Sequence, residues 1–212
     1  METEQKNLHI TIYLDEHAQD PREWDNLGTM VCAHRRYNLG DVQVKDEVEA
    51  YEEMLPDDVF AGDIEEECSD PDYEGEYLAR LKAEAEKNNV ILPLYLYDHG
   101  GISMRTTTFA CPWDSGQVGF IYVSLKKLIE EKVVDENGEP DIERARECLR
   151  SEVKVYDQHL RDDCYGFEIT DEDGEVVDSC WGFYGPEPKE NGMSDHFPEG
   201  WEDMPLEYEW QR

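Results

Sequence analysis

The sequence predicts an α+β fold in a single domain, with a mainly antiparallel sheet and a long helix packed across it. Three observations carry this. Short segments rich in β-branched and aromatic residues recur along the chain, and a turn signal joins the last two into a hairpin. One segment, 140–160, steps its apolar residues by three and four, which draws a single stripe on a helix. Hydrophobic residues make up 39% and aromatic residues 11% of the 212, enough to bury a core despite a net charge of −34 at pH 7.

Residues 8–14, LHITIYL, alternate in polarity and read as the first strand, and 29–34 as the second. In 44–55, Val44, Val48, Tyr51 and Leu55 recur at helical spacing until Pro56 stops them. Residues 56–73 hold eight acidic residues with Pro and Gly and are expected to be a loop or a mobile acidic segment. Good helix formers fill 76–88. The apolar run 90–97 predicts a buried strand in which Pro93 demands an edge or a bulge. Further strands are expected at 102–107 and 118–124, then a short helix at 125–132. On the long helix, Asp141 is placed to cap, and Ile142, Ala145, Leu149, Val153, Tyr156 and Leu160 form the stripe. Residues 164–170 and 176–181 flank Asp173-Gly174, a type I′ hairpin signal. The expected organisation is a domain over 1–185 with an acidic helical insertion at about 44–88, followed by a Pro/Gly-rich acidic tail, 186–212. Trp201 and Trp210 are its candidate anchors, and the tail packs on the domain or extends from it.

The charge is concentrated. Residues 44–76 hold 15 acidic side chains against Lys45, and residues 171–209 hold 13 against Lys189. Such a surface repels nucleic acid and anionic membranes and attracts basic partners. The expected partner-binding residues are Glu49, Glu52, Glu53, Asp57, Asp58, Asp63, Glu65, Glu66, Glu67, Asp70 and Asp72. The partner is expected to be a basic protein surface, with neither nucleic acid nor membrane bound directly. No apolar run approaches a membrane span, and METEQKNLHI lacks the basic and apolar regions of a signal peptide, so a cytoplasmic location is expected. The six cysteines, with no CxxC, are expected to be reduced and mostly buried.

No cofactor is expected. GxxxxGK[ST], GxGxxG, HExxH and GxSxG are all absent from the sequence. Asp70, Asp72, Glu74 and Gly75 match positions 1, 3, 5 and 6 of an EF-hand loop, but position 12 falls on Leu81, so calcium is not expected. The Asp-rich runs at 135–138 and 171–174 place glycine where a hairpin turn wants it. Two chemical alternatives stay open. Cys32, His34 and His99 would surround a zinc if their strands were neighbours. His99, Cys111 and Asp114 share one turn-rich segment and supply a thiol, an imidazole and a carboxylate for nucleophilic catalysis. Against each stands a bland reading, in which Cys32 is core, His34 hydrogen-bonds or sits at the surface beside Arg35 and Arg36, Gly100-Gly101 and 112–116 are turns, and Thr106–Thr108 is strand.

Four segments, DNLGTMVCAHRRYNLGD (25–41), YLYDHGGISMRTTTFACPWDSGQVGFIYVS (95–124), VYDQHLRDDCYGFEI (155–169) and DSCWGFYG (178–185), resemble a family of uncharacterised proteins encoded by phages, prophages and other mobile elements. The resemblance covers about a third of the chain and brings no catalytic assignment. It implies a mobile-element origin and a bacterial cytoplasm. Joined to the charge, it favours an inhibitor of a nucleic-acid-binding defence enzyme, of anti-restriction or anti-CRISPR type, that presents carboxylates where phosphates would lie. A phage accessory protein without mimicry and a small enzyme are the alternatives.

Overall fold

The computed structural model describes residues 8–68 and 73–209, and the fold is α+β with two mainly antiparallel sheets. The expected strands are shared between these sheets instead of joining in one. Contacts group the chain into two compact units, Met1–Pro21 with Val155–Arg212, and Arg22–Lys154.

In the Arg22–Lys154 unit the strands are β2 (Thr29–Cys32), β3 (Val42–Gln43), β4 (Asn89–Asp98), β5 (Ile102–Arg105) and β6 (Ser115–Ser124), in the order β3-β2-β6-β4-β5. Pro93 sits opposite Phe120 of β6 in the part of β4 that β5 does not reach, and the register slips at Leu94/Tyr95. Both the unpaired flank and the bulge suit a residue without a backbone donor. Gly119 permits the closest approach in this sheet. A Cβ there would lie 2.0 Å from the Val31 carbonyl oxygen, and its φ of +159° adds to the demand for glycine.

Helices α1 (Glu47–Glu53), α2 (Ala61–Glu66), α3 (Tyr73–Asn88) and α4 (Leu125–Glu130) belong to the same unit. Asp46 caps α1 by accepting from Glu49 N at 3.0 Å, and Ser124 caps α4 by accepting from Lys127 N at 3.1 Å. Ala50, Tyr51 and Met54 of α1 and its C-cap pack with Tyr77, Leu81 and Ala85 of α3 onto Val31 and Phe120. Segment 56–73, expected as a loop or mobile segment, contains α2. Ile64 and Cys68 pack against the same core and hold it there, and the Cys68 thiol donates to Ile64 O.

Helix α5 (Ile142–Leu160) contains the boundary between the units. Asp141 caps it by accepting from Arg144 N at 3.1 Å. Ala145, Leu149 and Val153 are buried as the stripe requires, and so is Tyr156. A Cβ on Gly28 would stand 2.4 Å from Leu149 and 2.9 Å from Ile121, so glycine there lets the helix and β6 close on the chain.

A partly buried ionic network centred on the Arg22 side chain ties this unit together. The Arg22 guanidinium donates from Nε and Nη2 to Asp41 at 2.9 and 2.6 Å, from Nη1 to Glu152 at 3.1 Å, and from Nη2 to Gly28 O at 2.7 Å. Asp41 also accepts from Met30 N, and Glu152 from Leu27 N and Gly28 N. Burial pulls the Arg22 pKa down, but the bonds and charge of Asp41, then those of Glu152, outweigh it and raise it overall.

In the other unit β1 (His9–Leu14) pairs antiparallel with β7 (Cys164–Thr170) and parallel with β9 (Leu206–Glu209), and β8 (Val176–Tyr184) completes the order β8-β7-β1-β9. Ile10, Ile12, Tyr165, Phe167 and Ile169 form the core with Met193 and Phe197. Residues 186–209, expected as a tail, thus supply two core side chains and a strand. Trp201 packs here as an anchor, with its ring 5.1 Å from that of Phe197, and Trp210 lies outside the described residues. The 171–175 connection is wider than the expected two-residue turn. Asp171 N donates to Glu175 O at 3.0 Å, and Gly174 but not Asp173 takes a positive φ.

Candidate functional site

The acidic layer is built from α1, α2 and α3, whose apolar sides are fixed on the core just described. With those sides turned inward, the polar positions are left outside. Glu53, Asp57, Asp58, Asp63, Glu65, Glu66 and Glu67 are exposed, while Glu49 and Glu52 are half-buried. Asp70 and Asp72 lie outside the described residues. The half-buried pair have local duties: Glu52 accepts from the Tyr77 hydroxyl at 2.7 Å, and Glu49 accepts from Lys45 N at 2.5 Å. Some exposed carboxylates are paired. Arg80 bridges Glu67 and Glu76 at 3.0 and 2.9 Å, and Lys126 reaches Asp57 at 3.7 Å. Exposed pairs of this kind contribute roughly 0–1 kcal/mol each and leave the surface net negative.

The second constellation lies where β4 ends and β6 begins. Asp98 N donates to Asp114 O at 2.8 Å, which closes the segment between the two strands. The Cys111 thiol donates to Asp114 Oδ2 at 3.2 Å, and His99 Nδ1 stands 3.7 Å from Asp114 Oδ1. The structure therefore brings His99, Cys111 and Asp114 together with the carboxylate between thiol and imidazole. A thiol activated by general base catalysis has the imidazole in that middle place. Ser115 Oγ donates to Cys111 O at 2.6 Å, which makes the segment a closed turn.

His34 joins this end of the sheet through a different contact. Its Nδ1 accepts from Arg36 N at 3.3 Å and Tyr37 N at 3.2 Å, and its ring stacks on Tyr37 at 5.0 Å. Tyr37 and Arg36 in turn bind the Asp98 carboxylate. Arg36 thus pairs with an acidic neighbour. Cys32 is fully buried in β2, where burial and then Asp41 push its thiol up to about 12. Among the described residues no group of three or more His, Cys, Asp or Glu is placed to hold a metal ion, and Cys32, His34 and His99 do not form one.

All six cysteines are free, but only Cys32 and Cys164 are buried; Cys68, Cys111, Cys148 and Cys180 are half-buried, against the expectation that most would be buried. Burial also raises Cys164, to about 11, which leaves that thiol protonated at neutral pH. The Asp-rich runs serve their own turns: Asp135 accepts from Asn137 N and Glu139 N at 2.8 and 3.0 Å, and these backbone bonds lower its pKa. Asp171 accepts from Asp173 N and Glu175 N, both at 3.1 Å.

Sequence reasoning singled out neither Trp113, 92% exposed beside Cys111 and Asp114, nor Trp181, 45% exposed on β8. Both occur in segments read as turns or strands, where an aromatic residue is expected to face inward, so periodicity carried no signal for them. Among the described residues no helix is long and apolar enough to cross a membrane. Comparison with protein-family models, with curated proteins and with solved structures returns no match.

Proposed function

We propose that the chain is a mobile-element protein of the bacterial cytoplasm that acts by binding a basic, nucleic-acid-binding host protein, as an inhibitor of anti-restriction or anti-CRISPR type. The observation that carries this is the layered build of α1–α3: one side is fixed by an apolar core, and the other exposes Asp57, Asp58, Asp63 and Glu65-Glu66-Glu67. Helical residues rise about 1.5 Å each, so α2, with Asp63, Glu65 and Glu66 among its six residues, places a charge about every 3 Å, close to the roughly 3.4 Å between phosphates along one DNA strand. The mimic competes with nucleic acid by mass action and contributes no chemistry of its own.

The test is capture of host proteins on the immobilised chain in about 0.05 M and 0.15 M salt, followed by elution with duplex DNA. Mimicry expects retained proteins that bind DNA, weaken with salt and leave the chain when duplex is added. Retention that ignores both salt and duplex would sink it.

A further inference from the structure

In the Met1–Pro21 with Val155–Arg212 unit, an open cavity of about 500 Å³ lies on the sheet, lined by Tyr13, Asp15, Glu16, His17, Trp181 and Glu209. Trp181 is its aromatic wall. A Cβ on Gly166 would stand 2.1 Å from Cε3 and 2.3 Å from Cδ2 of the indole, so one ring face is seated directly on the β7 backbone. The other side leaves Trp181 45% exposed, with Tyr13 stacked beside it at 6.0 Å and an interplanar angle of 30°. Packing on a strand fixes the ring before any ligand arrives, which lowers the ordering cost of binding.

The charge around this platform has one sign. Asp15, Glu16 and Glu209 line the cavity, and Glu168 and Glu209 also act on Tyr13 from the neighbouring strands. Burial first, and then those two carboxylates, raise the Tyr13 phenol. An electron-rich ring face beside carboxylates selects a cation that is flat, weakly hydrated and able to donate several hydrogen bonds at once. Guanidinium meets all three demands, and ammonium meets none as well.

We propose that this cavity is a docking site for an arginine side chain on a basic partner protein, with the guanidinium stacked on Trp181 and hydrogen-bonded to the Asp15, Glu16 and Glu209 carboxylates. The site shares with the preceding reading only the positive charge of the partner. It uses none of the α1–α3 residues and does not require competition with nucleic acid.

The probe is acetyl-Gly-Arg-Gly-Arg-Gly-amide, titrated into the full chain at about 0.15 M salt and followed by the Trp181 indole N–H and the backbone amides of β1, β7 and β8. The expected result is saturable shifts at those positions, with the matching lysine peptide bound about threefold or more weakly. Trp181→Leu lowers affinity about two- to fivefold, the range of an exposed cation–π contact. Glu209→Gln, on the exposed strand β9, lowers it by a similar factor and keeps the test alive if the tryptophan variant misfolds. Equal binding of the two peptides, shifts confined to α1–α3, or an unchanged affinity in Glu209→Gln would each overturn the site. An affinity unchanged in a folded Trp181→Leu would do the same. Because the probe is a short peptide, these outcomes are independent of whether duplex DNA displaces host proteins from the chain.

Discussion

Arg22→Met isolates what the partly buried ionic network contributes. The Arg22 side chain is 5% exposed, and those of Asp41 and Glu152 are 23% and 15% exposed. Removing the guanidinium leaves two carboxylates facing each other's field without a cation and frees the Gly28 carbonyl. Breaking a buried ion pair from one side costs roughly 3–5 kcal/mol. Here the carboxylates keep some access to water, and each retains backbone donors, Met30 N for Asp41 and Leu27 N and Gly28 N for Glu152. The lower end, about 3 kcal/mol, is therefore expected. At this chain length that corresponds to a melting temperature lower by about 6–12 °C. Urea unfolding followed by circular dichroism measures the cost, and a second substitution tests its cause. Glu152→Gln removes a charge that Arg22 neutralises in the native chain but nothing neutralises in the variant. It should cost about 1–2 kcal/mol alone and at least 1 kcal/mol less in the Arg22→Met background. A cost below about 1 kcal/mol for Arg22→Met, or additivity of the two changes, would show that these charges are neither shielded from water nor coupled.

Gly119→Ala places a methyl group against the Val31 carbonyl and is expected to destabilise the Arg22–Lys154 unit by about 3 kcal/mol, read from the same urea curves. Neutralising Glu65-Glu66-Glu67 to Gln should weaken retention of a captured basic partner in graded steps, each small, with stability within about 0.5 kcal/mol of the parent. His99→Ala and Cys111→Ala should leave that retention unchanged, and complete loss at either would redirect attention to the turn that holds them. Asp135 has a lowered pKa in the folded chain, so its share of stability is present above the ordinary carboxylate range and is lost as pH falls through the depressed folded value. Asp135→Asn should therefore flatten the acid limb of a stability–pH curve and leave the neutral region nearly parallel.

Local chemistry made much of this fold legible. Asp141 reads as a cap and is one; the stripe Ala145, Leu149, Val153, Tyr156 reads as inward-facing and is buried. Pro93 demanded an edge or a bulge, and β4 provides both. What escaped was non-local. Nothing in 206–209 announces a strand, because β9 exists through parallel pairing with β1 across nearly the whole chain. Helix α2 escaped for a related reason: its stretch is dominated by acid and turn formers, and only the packing of Ile64 and Cys68 selects the helix. The division of strands between two sheets has no local signature at all. For the site, the reading of the sequence matched the exposure of Glu53, Asp58, Asp63, Glu65 and Glu66 but not that of Glu49 and Glu52, which are half-buried and bonded to Lys45 N and the Tyr77 hydroxyl. It gave no sign that Lys126 and Arg80 would pair with Asp57 and Glu67. It did not show that Asp114 would take the middle place between Cys111 and His99. Nor did it show that Gly166 of β7 would seat the indole of Trp181 from β8.

The boundary inside α5 has a consequence for biosynthesis. Every strand partner in the Arg22–Lys154 unit is encoded within that stretch, so its sheet can close as soon as Ser124 has been made. Strand β1 is made first and has no neighbour until β7 emerges about 150 residues later, and its other side waits for β9. At about 5–20 residues per second, β1 waits roughly 8–30 s on the ribosome. During that interval Ile10 and Ile12 are uncovered, and the strand presents two open edges of the kind that pairs with foreign chains. The nascent protein therefore assembles from the middle outward, and chains truncated before residue 164 carry an unpaired β1.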